Sequence, residues 1–491
     1  MGDTRDLALI LDSKIAIVAI ESPDEKRVLA LLMQFAMQRG LKFYEWSATR
    51  GLRRGDLAAI ADGPCEHTEP EEALKHIAAT KGPALYALCD LHPYLKDSPR
   101  LVRYLKDVAL DYDALGSTLV LVSHAVTVPA ELKRFTASFE LRLPSDDELR
   151  AMVRSEAQAW AKSNAGRKVR TDAATLDALI ANLRGVSHAD AQVLIRRAIF
   201  ADGVIGDEDL PDVNRLKFEL MDADGVLRYE HDTSSFAEVA GLTNLKAWLG
   251  LRREPFLTAN TQDRPRGILL IGVQGSGKSL AAKAVAGLYG VPLLRLDFGA
   301  LYNKYFGETE RNVRSALSQA EAMAPCVLWM DEIEKGLATG DGDNATSKRV
   351  LGTLLTWMAE NKKSVFLVAT SNDISQLPPE LMRKGRIDEV FFVDLPDRAT
   401  RAEIFRIHLA RRKLDPARFD VEALAAESEG FTGAEIEEAL VSARYLTASK
   451  DAELSTSDVR GALHRTYPLS VVRADAIAAI RAWAQNRTVP A

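Results

Sequence analysis

The chain has 491 residues, 47% of them hydrophobic and 27% charged, with a net charge of −6; that length calls for about two to four domains of ordinary globular make-up. The acidic balance excludes any global attraction to nucleic acid or an anionic membrane. No apolar run approaches the ~20 residues that span a bilayer, the opening MGDTRDLALILDSK has no basic-then-apolar leader pattern, and the three cysteines are widely scattered, so a reducing, cytoplasmic setting is expected.

In chain order, KIAIVAI (14–20) is a short β-branched apolar run, read as a buried strand. ESPDEKRVLALLMQFAMQRG follows with first-turn acids and helical periodicity up to Gly40. LKFYEWS, ALYALCD (84–90) and STLVLVSHA read as further strands, so strands alternate with helices as in a parallel sheet. From about 146 to 200 the pattern is all-helical, and 201–232 reads as an acidic connector holding one more helix. From 233 the architecture restarts. RGILLIG is a strand, a glycine loop leads into the helix KSLAAKAVAGLYG, and PLLRLDF, CVLWMDE and SVFLVATSN follow as strands before a second helical region.

The restart is a repeat. TLVLVSHAVTVPAELKRFTASFELRLPSDDELR parallels SVFLVATSNDISQLPPELMRKGRIDEVFFVDLPDRATR: strand, polar turn, P-x-E-L, short strand, L-P, acidic helix start. The expected fold is therefore α/β: a P-loop module of parallel sheet, flanking helices and helical lid, preceded by a degenerate copy with its own lid. The boundaries expected are 1–145 for the degenerate domain, 146–205 for its lid and 206–232 for a linker. The second large subdomain is placed at 233–396, its lid at 397–466 and a C-terminal helix at 467–491.

Chemistry concentrates in the second copy. GVQGSGKS (272–279) satisfies G-x-x-x-x-G-K-[ST] between a strand and a helix, where backbone N–H groups wrap phosphates and a Cβ would block close approach. The loop residues Gly272, Gly275, Ser276, Gly277 and Leu280 frame it; Lys278 suits the β- and γ-phosphates of ATP and Ser279 suits Mg²⁺. VLWMDE ends a strand in Asp331, suited to Mg²⁺, and Glu332, suited to polarising the attacking water. Asn372, closing LVATSN, can orient that water. Arg383 and Arg386 in LMRKGRID fit fingers that reach a neighbouring subunit's γ-phosphate.

These motifs, with FAEVAGLTNLKAWL, KYFGETERNVR and GFTGAEIEEAL, occur in order over about 233–466 and resemble the AAA-type ATPases of the AAA+ superfamily. Within them, RVLGTLLTWMAENKKSVFLVATSND resembles most closely the Ycf-type ATPases of plastid genomes and bacteria. The resemblance implies ATP and Mg²⁺ at the interfaces of a homo-oligomeric, usually hexameric ring. It implies Ala240 and Gly241 near the adenine, Gly433 and Ala434 in the lid near the nucleotide, and no lid arginine. It also implies an aromatic pore loop, matched by Tyr305, Phe306 and Gly307, that grips an extended protein client, with a second loop at 336–348.

The first copy has lost this set. ESPDEKRVLA holds neither a glycine nor a Lys-Ser/Thr pair; Asp24 and Glu25 stand at a helix start, where they oppose phosphate and satisfy the dipole themselves. Asp90 is kept, but Leu91 replaces the second acid. That half is expected to be a scaffold or docking platform without nucleotide. The function expected is ATP-driven remodelling, unfolding or disassembly of a protein client. Alternatives are a slow nucleotide-gated adaptor and, against the acidic charge, a nucleic-acid-associated ATPase.

Overall fold

The computed structural model describes residues 2–22, 24–55, 66–96, 98–221, 226–231, 239–258, 263–298, 301, 309–337, 344–383, 385–448 and 453–491. Tyr305, Phe306, Gly307 and residues 338–343 of the second proposed loop lie outside them. The chain divides into two compact units, Met1–Glu148 with Ser187–Val193, and Leu149–Val186 with Leu194–Ala491.

The first unit is built on a sheet of β1 (Ile17–Glu21), β2 (Lys42–Ser47), β3 (Gly51–Arg54), β4 (Ala84–Cys89), β5 (Ser117–Ser123) and β6 (Thr136–Glu140) in the order β3-β2-β4-β5-β1-β6. All pairs are parallel except the β2–β3 hairpin. Every residue of β4 and β5 is buried, which is why they read as unbroken apolar runs rather than alternating ones. One face packs Leu74, Ile77, Leu101 and Leu105; the other packs Val28, Leu32 and Phe35 of the helix Glu25–Arg39. β3 was not legible beforehand: GLRR lacks the apolar signature of a strand, and it forms by pairing with β2 at the sheet edge.

The second unit carries β7 (Leu227–Glu230), β8 (Gly267–Gly272), β9 (Leu293–Leu296), β10 (Cys326–Met330), β11 (Val365–Ser371), β12 (Glu389–Val393) and β13 (Val489–Pro490) in the order β13-β12-β8-β11-β10-β9-β7. β7 is antiparallel to β9 and the other pairs are parallel. Numbering the main parallel strands 1 to 5 within each unit, both sheets read 5-1-4-3-2. The repeat read from the sequence is thus a repeat of topology.

Two parts of the chain differ from the expected boundaries. The stretch read as a linker, 206–232, holds the helix Leu210–Met221 and then β7, which completes the second sheet. Its polar LRYE pattern suits an edge strand, which periodicity alone hides. The segment read as a C-terminal helix, 467–491, is helical over Leu469–Val472 and Ala474–Ala484 and ends in β13, where Val489 and Pro490 pair with Phe391 and Phe392. The helices Arg398–Arg411, Val421–Glu427, Gly433–Ala448 and Thr456–Leu463 form a cluster around Phe405, Leu409, Leu424, Ile436 and Leu440. Asp397 caps the first of them by accepting from the Thr400 N–H at 2.8 Å, so the L-P-D signal does mark a helix start. Among the described residues, no helix is long and apolar enough to cross a membrane.

Candidate active site

β8 runs into the glycine loop, and the helix Lys278–Tyr289 starts immediately after it. A Cβ on Gly272 would lie 2.0 Å from the Val393 carbonyl oxygen of β12, so this glycine lets two strands close at the loop's root. Gly277 at the N-cap has φ +97°, a conformation that L side chains rarely adopt. The loop then delivers Lys278 into a buried position, where its Nζ donates to the carbonyls of Gly272 at 2.9 Å and Val273 at 2.7 Å.

Burial pushes the Lys278 ammonium down to about 8, opposed in part by Glu334, Asp331 and Glu332. A phosphate partner favours the charged form, so binding should raise this value. ATP affinity is therefore expected to hold below about pH 8 and to fall above it, by up to about tenfold per pH unit until the bound-state value is reached. Titration of fluorescent ATP between pH 6.5 and 9.5 checks this; affinity that rises through the same window would contradict it.

β10 and β11 lie in register with Met330 opposite Ala369, which brings Asp331 beside Thr370. The Thr370 hydroxyl donates to Asp331 Oδ1 at 2.7 Å, and Ser279 Oγ donates to the same oxygen at 3.3 Å. The Glu332 N–H donates to Thr370 Oγ1 at 3.0 Å, and Glu332 has φ +49°, uncommon for a residue with a side chain. That turn aims its carboxylate at Asn372, whose Nδ2 donates to Glu332 Oε1 at 3.0 Å. Lys335 pairs with the other oxygen, and this contact raises the Lys335 ammonium above its usual range.

These groups share one cavity of about 390 Å³. Of the residues expected from sequence, Ala240, Gly275, Ser276, Gly277, Lys278, Ser279, Leu280, Asp331, Glu332, Asn372, Gly433 and Ala434 line it. Gly241 and Gly272 do not line it. The Gly241 N–H donates to Glu403 at 3.1 Å, and its α-carbon faces Thr400. Arg383 and Arg386 do not line the cavity: Arg383 ends the short turn Pro379–Met382, and Arg386 donates to the Glu380 carbonyl at 2.6 Å. Sequence reading missed Thr370 and the apolar wall of Val239, Leu242, Ile404 and Ile407, with His408, Arg411 and Glu437 beside it. Most of these are lid residues at helical spacing, a pattern indistinguishable from ordinary core until the lid is placed. Burial lowers the His408 imidazole, against the raising effect of Glu437.

The donors fit ATP with Mg²⁺. An apolar wall for a base, a nest of N–H groups and a buried ammonium occupy successive parts of one cavity. Ser279 Oγ and one carboxylate are the hard-oxygen pair that Mg²⁺ uses when phosphates and waters supply its remaining ligands. A larger cavity, about 930 Å³, lies in the first unit around His92, Lys96, Arg103 and Lys106. It contains neither a glycine loop nor a carboxylate pair.

Residues 268–395 match the model of the ATPase family associated with various cellular activities, AAA. Residues 3–141 and 147–224 match the N-terminal and second domains of SpoVK-like AAA ATPases. The AAA domain-containing protein ycf46 of Guillardia theta is 32% identical over 496 residues, covering 99% of this chain and 95% of that one. The chain belongs to the AAA ATPases. Its relatives extend beyond the ycf46 type. The Cell division cycle protein 48 homolog of Archaeoglobus fulgidus is 39% identical over 38% of this chain and 25% of its own. The ATP-dependent zinc metalloprotease FtsH 3 of Synechocystis is 35% identical over 47% of this chain and 39% of its own. This AAA ATPase hydrolyses ATP.

Proposed function

We propose that this AAA ATPase hydrolyses ATP at the subunit interfaces of a homo-oligomeric ring, most simply a hexamer, and spends the cycle on remodelling a protein client. The observation that carries the reading is the Asn372–Glu332 contact on the wall of the cavity that also holds Lys278, Ser279 and Asp331. In this reading Lys278 and the loop amides hold the β- and γ-phosphates, and Ser279 with Asp331 would hold Mg²⁺, whose chemistry is to neutralise charge on the phosphates. Glu332 takes the proton of the attacking water, and Asn372 keeps its carboxylate turned toward that water. Ala240 and Gly241 border the base, and Gly433 and Ala434 report the nucleotide to the lid. Tyr305, Phe306 and Gly307 would grip the client. The relative named as an ATP-dependent zinc metalloprotease supports a protein client over nucleic acid.

Arg383 and Arg386 lie outside their own chain's cavity, which supports their acting on a neighbour. A chain carrying both Arg383→Ala and Arg386→Ala should lose about 10³-fold of its turnover. Mixing it with Lys278→Ala chains should restore part of the rate, because a finger-bearing chain then meets an intact pocket. Mixtures no faster than the sum of their parts would overturn hydrolysis at interfaces.

A further inference from the structure

Asp331 is held from two sides. On the cavity side stand Thr370 and Ser279; on the side away from the cavity stands Arg295 of β9, with Nη2 donating to Asp331 Oδ2 at 3.1 Å. Parallel register puts Arg295 directly opposite Trp329, and its guanidinium lies over the indole with Cζ 4.8 Å from the ring centroid. That stacking fixes the plane of the guanidinium between two carboxylates. One is Asp331. The other is Glu230 of β7, whose Oε1 lies 3.9 Å from Arg295 Nη1 and whose Oε2 lies 3.7 Å from Lys283 of the glycine-loop helix. The four side chains are half-buried, with exposures of 37% for Arg295, 18% for Asp331, 21% for Glu230 and 24% for Lys283. Solvent therefore does not screen them fully.

Two cations and two carboxylates sum to zero charge. A divalent cation held at Ser279 and Asp331 adds two positive charges beside Arg295 and makes its contact with Asp331 the unfavourable one. Glu230 is the second partner already in reach. We propose that Arg295 is a positioning residue that occupies Asp331 when no metal is bound and transfers to Glu230 when it is, so that this pair sets the divalent-cation requirement of the site. The proposal rests on Asp331 being the metal-side carboxylate. It also gives β7, absent from the expected elements, a part in the site.

The two partners predict opposite shifts. Removing the competing cation with Arg295→Met should lower the half-saturating metal concentration by about five- to tenfold. Removing its alternative partner with Glu230→Gln should raise it, because Arg295 then stays on Asp331. The double variant should behave like Arg295→Met, and Arg295→Lys should lie between it and the parent. The measurement is Mn²⁺ binding to the full-length chain saturated with ADP, read by the loss of the free-Mn²⁺ electron paramagnetic resonance signal, alongside thermal unfolding of each variant. A merely structural role would lower the unfolding temperature and leave Mn²⁺ half-saturation where it was. Unchanged or same-direction shifts in Arg295→Met and Glu230→Gln would overturn the proposal. Asp331→Asn separates the two levels. If it leaves Mn²⁺ binding intact, the reading of the metal side fails; if it weakens binding while Arg295→Met has no effect, only the Arg295 proposal fails.

Discussion

Glu332→Gln is expected to bind ATP as the parent does and to turn it over about 10²-fold or more slowly, the usual worth of a positioned general base. The amide keeps the shape of the side chain and can still meet Asn372, so the cavity wall is preserved. It cannot take a proton from water. It also breaks the charged contact with Lys335, but that lysine is two-thirds exposed, and an exposed pair contributes ~1 kcal/mol at most. The fold should survive, and ATP should accumulate in the site. The measurement pairs steady-state phosphate release with the nucleotide that remains bound after rapid gel filtration. Turnover within threefold of the parent would remove Glu332 from the role of base. The trapped form is also the means to retain a client.

The second large effect concerns the whole chain. Lys278→Ala should lower ATP affinity by about 10²-fold, since a buried ammonium on phosphate is worth about 3 kcal/mol. It should leave no second class of site. The first unit has the same strand order, and the match extends to side chains: Ser123 Oγ donates to Asp90 Oδ1 at 2.6 Å, as Thr370 donates to Asp331. Yet Leu91, which follows Asp90 where Glu332 follows Asp331, is buried in the core. The adjoining cavity, about 420 Å³, is lined by Glu25, Glu45 and Asp90 and equally by Lys26, Arg50 and Arg53, with Arg53 paired to Glu45. Asp24, at the N-cap of the next helix, is engaged by the Ala189 N–H at 3.2 Å. With Leu91 in place of the second acid, and neither a glycine nor a Lys-Ser/Thr pair in the turn before the helix Glu25–Arg39, this unit lacks the parts that would hold phosphates. Equilibrium binding of fluorescent ATP to the full-length variant decides it. Residual stoichiometric binding at micromolar affinity would show that the first unit kept a site.

Much of this site was legible because its motifs are local. A glycine loop, two acids at a strand end and an asparagine at the next strand end each report their chemistry within about eight residues, and the cavity gathers all of them. The lid wall was not legible, because Ile404, Ile407, His408 and Glu437 lie on helices whose inward faces resemble any amphipathic face. Thr370 looked like one more residue of a buried strand; only the register opposite Asp331 shows its hydroxyl bridging the two acids.

By itself the amino-acid sequence determined the repeated α/β plan, the glycine loop, the paired acids and the absence of those motifs from the first half, since all of these follow from short-range pattern and residue type. The tertiary structure decided what depends on partners distant in the chain. Polar LRYE becomes the edge strand β7 because Leu293–Leu296 offers it a ladder. Residues 489–490 form β13 because Phe391 and Phe392 pair with them. Arg295, one basic residue in an apolar run, comes to lie between Asp331 and Glu230 because strand register places it there.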